Sequence, residues 1–256
     1  MKNNFTKSDD AVSEMVDYSI ILSIILLATG IIVVAGVPML EHMQETQHTE
    51  NIKQSFKVLA PNVNKVVFGN APAQSVELKM HGGSLSVTGN NYINISMQVW
   101  NNSAGSSETL SFGKKMGNVE NDFQDTLISY ENSGVWARYS SGDSIMLAQP
   151  RFTYANNVLA IPDASISGSS SVSGSGLVRV TADAGRRSIE SYQNVSEVNI
   201  TITSDYFEAW ERYLNEHLGM STIELNETTQ TVLAGKIYTE NIDVYIVKAA
   251  MDVTID

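Results

Sequence analysis

A chain of 256 residues with 28 acidic and 16 basic side chains lacks the basic surface that phosphate backbones demand, so nucleic acid is excluded as a partner. It contains no cysteine, which removes disulfides, thiolate metal sites and thiol chemistry, and its folded part must rest on a core of its own. Charged residues are 17% of the chain, below the usual quarter; Ser, Asn, Thr and Gly fill the difference, as on many secreted and cell-surface proteins.

The chain opens with a polar leader, residues 1–11, containing Lys2 and Lys7. From Tyr18 to Leu40 no charged residue occurs, and Ile, Leu, Val, Ala and Gly dominate. As a helix this run spans about 35 Å, enough to cross a hydrocarbon core of about 30 Å. A cleaved secretory signal has an apolar core of about 7–15 residues and a small-residue site behind it. This run is longer and no A-x-A site follows, so the sequence predicts a retained single-pass membrane helix. After Lys7 the next basic residue is Lys53, which places the N-terminus in the cytoplasm and the remainder outside. Pro38 removes one helical hydrogen bond near the outer end. Beyond it, Leu40, Met43, Gln47, Ile52, Phe56 and Leu59 form a one-sided stripe. One helix is therefore predicted over 12–59, with its first half in lipid and its second half on an extracellular domain. Ser13 suits an N-cap, and Glu14 and Asp17 suit the positive end of the helix macrodipole.

The order of leader, Ala11, then Val12-Ser13-Glu14 and an uninterrupted apolar helix resembles the N-terminus of archaeal type IV pilin-like proteins, which carry a class III signal peptide. The resemblance implies that a prepilin peptidase cuts between Ala11 and Val12 on the cytoplasmic side and that the helix stays on the mature protein. It further implies that Glu14 pairs with the freed amino group of a neighbouring subunit in a filament. The family usually places a basic residue and then Gly or Ala before the cut; here Asp9, Asp10 and Ala11 stand there, and the nearest basic residue is Lys7.

From Val63 onward the pattern turns to short strands. "NKVVFG", "SVELKM", "SLSVTG" and "YINISMQVW" come first. "DTLISYE", "GVWARYS", "SIMLAQPRFTY" and "VLAIPDASIS" follow. "GLVRVTA", "VNITIT", "STIELN", "TVLAGKIY" and "NIDVYIVKAAMDVTI" complete the chain. "HGGS" and "TGNN" read as turns, and "SGSSSVSGSG" as a surface loop. One helix interrupts the strands near 205–218. Asp205 with Glu208 suits a capping box, Gly219 a C-terminal stop, and Glu208 with Arg212 an i,i+4 pair. Its face of Phe207, Trp210, Leu214 and Leu218 either covers a sheet or docks a partner. The fold class is thus α+β, with an antiparallel, sandwich-like head over 60–256; the pattern leaves one subdomain or two open.

Asn-x-Ser/Thr occurs at Asn94, Asn101, Asn194, Asn199 and Asn226, candidate glycan acceptors in an extracellular head, and at Asn4 in the leader. His42, His48, His81 and His217 form no metal-ligand spacing, and no nucleophile elbow or EF-hand pattern occurs. The reading is therefore not an enzyme, without cofactor, metal site or catalytic residues. The leading expectation is a membrane-anchored surface protein, a minor pilin or pilus-associated structural or adhesive subunit. Its partners would be membrane lipid, other pilin-like subunits, and surface glycans or envelope proteins. An envelope-binding protein that never polymerises, and more remotely an extracellular enzyme, are the alternatives.

Overall fold

The computed structural model describes residues 6–101, 105–140 and 142–256, with side chains from Glu14 onward. The chain divides into two compact units, residues 1–48 and 49–256. Helix α1 (Thr6–Val67) begins in the first and ends in the second. The strands are β1 (Ala73–Thr88), β2 (Tyr92–Asn101), β3 (Ser106–Lys115), β4 (Asn118–Phe123), β5 (Thr126–Glu131), β6 (Gly134–Tyr139), β7 (Ser144–Ala148), β8 (Thr153–Ala155), β9 (Val158–Ser167) and β10 (Ser171–Thr203). Helix α2 (Phe207–Leu218), β11 (Ser221–Asn226) and β12 (Thr231–Ile255) complete the chain. The α+β class predicted from the sequence is the class observed.

The strands form one hydrogen-bonded sheet in the order β7-β6-β5-β4-β1-β10-β12-β9-β8, with β2 added to β10, β3 to β2, and β11 to β12. Pairing is antiparallel except between β12 and β9. The predicted sandwich-like head thus takes the form of a continuous sheet that serves two hydrophobic cores. Strand β10 pairs with β1 through its first part, Ser171–Asp183, and with β2 through its last, Val195–Thr203. β12 runs beside it from Val180 to Thr203.

The first core joins Ile52, Phe56, Leu59, Val63 and Val66 of α1 to Leu78, Leu85, Ile128, Tyr130, Val180 and Val253. The second joins Trp210, Tyr213 and Leu214 of α2 to Ile93, Ile95, Met97, Ile200, Val232 and Ile246. β5 and β6 face both: Tyr130 and Val135 belong to the first core and Trp136 to the second. This explains why Val135, Trp136 and Ala137 are all fully buried in one strand.

Three local expectations need correction. "NKVVFG" lies mostly in helix, not strand: Leu59, Ala60, Val63, Val66 and Val67 continue the buried face of α1, and tertiary burial overrides the β-propensity of the valines. "SVELKM" and "SLSVTG" are one strand, interrupted by a register shift between His81 and Ser84. Gly83 there has φ 73, and a Cβ on it would lie 2.1 Å from the Asp122 carbonyl oxygen. The "SGSSSVSGSG" tract is a loop only over residues 168–170; Ser167 ends β9, and Ser171–Gly176 begin β10, paired with β1 from Ser171↔Ser86 to Gly176↔Met80. Its backbone makes the ladder while its small side chains leave no hydrophobic alternation to read.

Candidate functional site

The apolar part of α1 is the most distinctive surface. Residues 14–44 are exposed, and an 18-residue window of mean hydropathy 2.9 has none of its length buried. Ile20, Ile21, Ile24, Ile25, Leu26 and Leu27 stand open on several sides of the helix. The hydroxyls within the run are already satisfied. Ser19 Oγ donates to the Met15 carbonyl at 2.8 Å, Ser23 Oγ to Ser19 at 2.7 Å, and Thr29 Oγ1 to Ile25 at 2.8 Å. A helix that closes its own backbone and hydroxyl hydrogen bonds is the form a bilayer accepts. Glu14 and Asp17 are exposed at the start of this run. Ala11, Val12 and Ser13 fall within α1, but their side chains lie outside the described residues, as does Asn4. Since α1 runs from Thr6, Ser13 is interior to the helix in the uncut chain; only a new terminus at Val12 would let it cap.

The head contains a second concentration of polar groups, at the turn between β5 and β6. Asn132 (φ 41) and Ser133 (φ 71) form the two-residue hairpin turn, and Glu131, Asn132 and Ser133 are 0%, 0% and 1% exposed. A buried turn must have its polar groups paired from elsewhere in the fold. Asn64 of α1 donates to the Ser133 carbonyl at 3.0 Å and accepts from the Tyr130 hydroxyl at 2.8 Å. The Ala164 amide of β9 donates to Asn132 Oδ1 at 3.0 Å, and the Arg151 amide to Ser133 Oγ at 2.9 Å.

Glu131 itself points toward α2. Its carboxylate accepts from Asn91 Nδ2 at 2.6 Å, Trp210 Nε1 at 2.8 Å and Ser204 Oγ at 3.0 Å, while Trp136 Nε1 donates to its backbone carbonyl at 3.2 Å. Burial pushes its pKa up to about 7; the three donors oppose that rise, and nearby Glu120 adds to it. Glu120 is raised too, mainly by burial, although the Tyr206 hydroxyl donates to it at 2.7 Å. These groups border a cleft of about 150 Å³ with Thr88, Asn118 and Asp205. Both oxygens of Glu131 are held by donors fixed in the fold, so the carboxylate acts as a positioned acceptor that anchors α2 to the hairpin. Among the described residues, no three His, Asp or Glu side chains gather closely enough to hold a metal ion.

Helix α2 is a cover for the sheet: Trp210 and Leu214 are fully buried, as is Tyr206 at its N-cap, and the Trp136 and Trp210 rings meet at a tilt of 35° with centroids 4.2 Å apart. Gly219 ends it in the left-handed conformation, φ 61, as its position predicts. The capping box does not form. Asp205 turns to Arg138 at 2.8 Å, and Glu208 accepts instead from the Ser144 amide at 2.8 Å and hydroxyl at 3.1 Å. Arg212 also turns to Ser144, donating to its carbonyl, and to Asp143 at 3.6 Å, so Glu208 and Arg212 share a partner rather than each other.

The glycan candidates separate clearly. Asn194 is exposed, with φ 58, at a register shift of β10. Asn94 accepts from Ser111 Oγ at 3.0 Å, and Asn226 accepts from the Thr229 amide at 3.0 Å. Asn199 donates to Glu197 at 2.7 Å with its Oδ1 buried. Asn101 is half-buried, and the Asn102-Ser103 part of its sequon lies outside the described residues. His81 sits within β1 opposite Ser175 and is followed by the irregular glycines of that strand. The sequence singled out the apolar helix but not Glu131, because an acid before Asn-Ser-Gly reads as an ordinary exposed turn residue.

A family model described as a family of unknown function (DUF7289) matches residues 11–254. An uncharacterized protein of Archaeoglobus fulgidus is 24% identical over 268 aligned positions, covering 85% of this chain and 87% of that one. No solved structure matches the chain.

Proposed function

The chain belongs to the DUF7289 family, and for this member we propose a membrane-anchored surface protein whose N-terminal helix lies in the bilayer and whose β-rich domain stands outside the cell. The observation that carries this reading is the apolar stretch of α1, exposed in the fold and closed in its hydrogen bonds. Such a surface is unfavourable in water and matched by lipid or by like helices. Lys2 and Lys7 before the run, with no further basic residue until Lys53, support the orientation.

Within that frame, the leader, Ala11 and the Val12-Ser13-Glu14 start support a minor pilin or pilus-associated subunit processed after Ala11. In a filament the same helix faces would pack against other subunits, with Glu14 and Asp17 near their amino termini. The relative from Archaeoglobus fulgidus accords with the archaeal character of the resemblance.

N-terminal sequencing of the mature protein from washed membranes tests the proposal. A start at Val12 is the expected result. A start at Met1 replaces the pilin reading with a plain signal anchor, and a start beyond Leu40 overturns the anchor itself.

A further inference from the structure

A crevice of about 320 Å³ opens between the β2–β3 hairpin and strands β9 and β12. Its walls are apolar: Ile93 and Ile95 from β2, Phe112 from β3 and Ile246 from β12. Three charged residues also line it: Asp163, Lys114 and Lys248. Asp163 is 5% exposed, and its Oδ1 meets no hydrogen-bond donor. Its Oδ2 lies 3.8 Å from Lys114 Nζ, too far for a hydrogen bond. Lys248 is engaged elsewhere: its Nζ sits 2.7 Å from Glu190 Oε1 and 5.1 Å from the Phe112 ring centre. The Tyr192 hydroxyl takes the other oxygen of Glu190 at 2.8 Å.

A buried carboxylate without a hydrogen-bond donor is costly; Oδ1 is closed off from solvent, so an occupant of the crevice lowers that cost by bringing an N–H group to Oδ2, which has only the distant Lys114. The surrounding charges restrict the occupant. A simple anion is repelled by Asp163, and a simple cation by Lys114, whereas the charge of Lys248 is met by Glu190. A molecule carrying both charges satisfies both. An α-amino acid bears its ammonium and carboxylate on one carbon, which suits an acceptor and a cation only 3.8 Å apart. A crevice of this volume lies at the lower end of small-molecule sites, and its aliphatic and aromatic walls suit a hydrocarbon side chain.

We propose that this crevice binds a small zwitterion of the apolar amino-acid class, with the ammonium on Asp163, the carboxylate on Lys114, and the side chain against Ile93, Ile95, Phe112 and Ile246. The site is independent of the membrane anchor and adds a ligand to a head whose core is otherwise structural.

Calorimetric titration of the full chain in detergent tests this directly. The probes are L-leucine, L-phenylalanine, leucinol, which lacks the carboxylate, and 4-methylpentanoate, which lacks the amine. An amino acid is expected to bind with a Kd below about 1 mM, and each half-ligand at least about tenfold more weakly. Asp163→Asn should weaken amino-acid binding by roughly thirtyfold or more. Lys114→Met, a change at a partly exposed side chain, should abolish the preference for leucine over leucinol. If neither amino acid gives saturable heat at about 10 mM, the proposal is wrong. It is equally overturned if Lys114→Met binds leucine over leucinol as well as the parent does, a result that stands whether or not the Asp163 variant folds.

Discussion

Replacing Glu131 with Gln should remove a specific part of the pH dependence of stability. The carboxyl is fully buried, and its pKa rises from 4.5 to about 7 on folding, mainly because burial disfavours the charged form. The folded protein therefore holds this proton more tightly than the unfolded chain does. Its contribution to stability is complete below the unfolded value of 4.5, falls as pH rises, and is lost once pH passes about 7. The difference of about 2.5 units corresponds to roughly 3 kcal/mol in all, of which about 2 to 3 kcal/mol should appear between about pH 5 and about pH 8. Gln keeps the shape. Its oxygen can accept from Trp210, and its NH₂ can meet Asn91, whose Oδ1 has no partner in the present orientation and which can rotate to accept. Urea unfolding followed by the emission of Trp136 and Trp210 at the two pH values measures the effect. The parent should lose about 2 to 3 kcal/mol more than Glu131→Gln over this interval. Equal losses would refute a Glu131 carboxyl whose pKa is raised by burial. Glu120 and Asp163 are shifted in the same direction, so a residual slope of the same sign should persist in the variant.

Other perturbations have distinct readouts. Trp210→Ala empties a fully buried site and leaves Glu131 Oε1 without its donor, so chemical denaturation should show a loss of about 3–5 kcal/mol. Gly83→Ala sets a methyl group against the Asp122 carbonyl and forces a positive φ on an L-residue, so the midpoint of unfolding should fall by the equivalent of about 2 kcal/mol or more. Leu26→Arg should cost about 2.5–3.5 kcal/mol of membrane insertion and lower the fraction that survives alkaline washing of membranes. If the native protein is glycosylated, Asn194→Gln should lower its apparent mass on a gel, whereas Asn199→Gln should leave it unchanged.

The sequence revealed the features that repeat locally. The apolar run from Tyr18 to Leu40, the alternation of Ile93, Ile95 and Met97, and the Gly219 stop each follow from a few neighbouring residues. The long strands were not legible because their interiors contain turn-like residues: Gly174, Gly176, Gly185 and Asn194 all lie inside β10. Their pairing rests on backbone ladders with β1, β2 and β12, which no side-chain period records. The Glu131 network was hidden for a different reason. Asn91, Ser204 and Trp210 come from three distant parts of the chain, and only their convergence turns an acid beside a hairpin turn into a buried one. The capping box failed on competition: Asp205 found Arg138, and Glu208 found Ser144.

The two longest strands have a mechanical consequence. β10 and β12 lie antiparallel from Val180↔Ile255 to Thr203↔Thr231, and each contributes residues to both cores. Tension applied along them loads their hydrogen bonds together, in shear, rather than unzipping them one pair at a time. The two halves of the domain therefore share a tensile spine: a pull entering at the core that holds residues 52–67 is carried through β10 and β12 to the core under α2. Under such a load the domain would yield last along this seam, and first at its short outlying strands, β8 and β11.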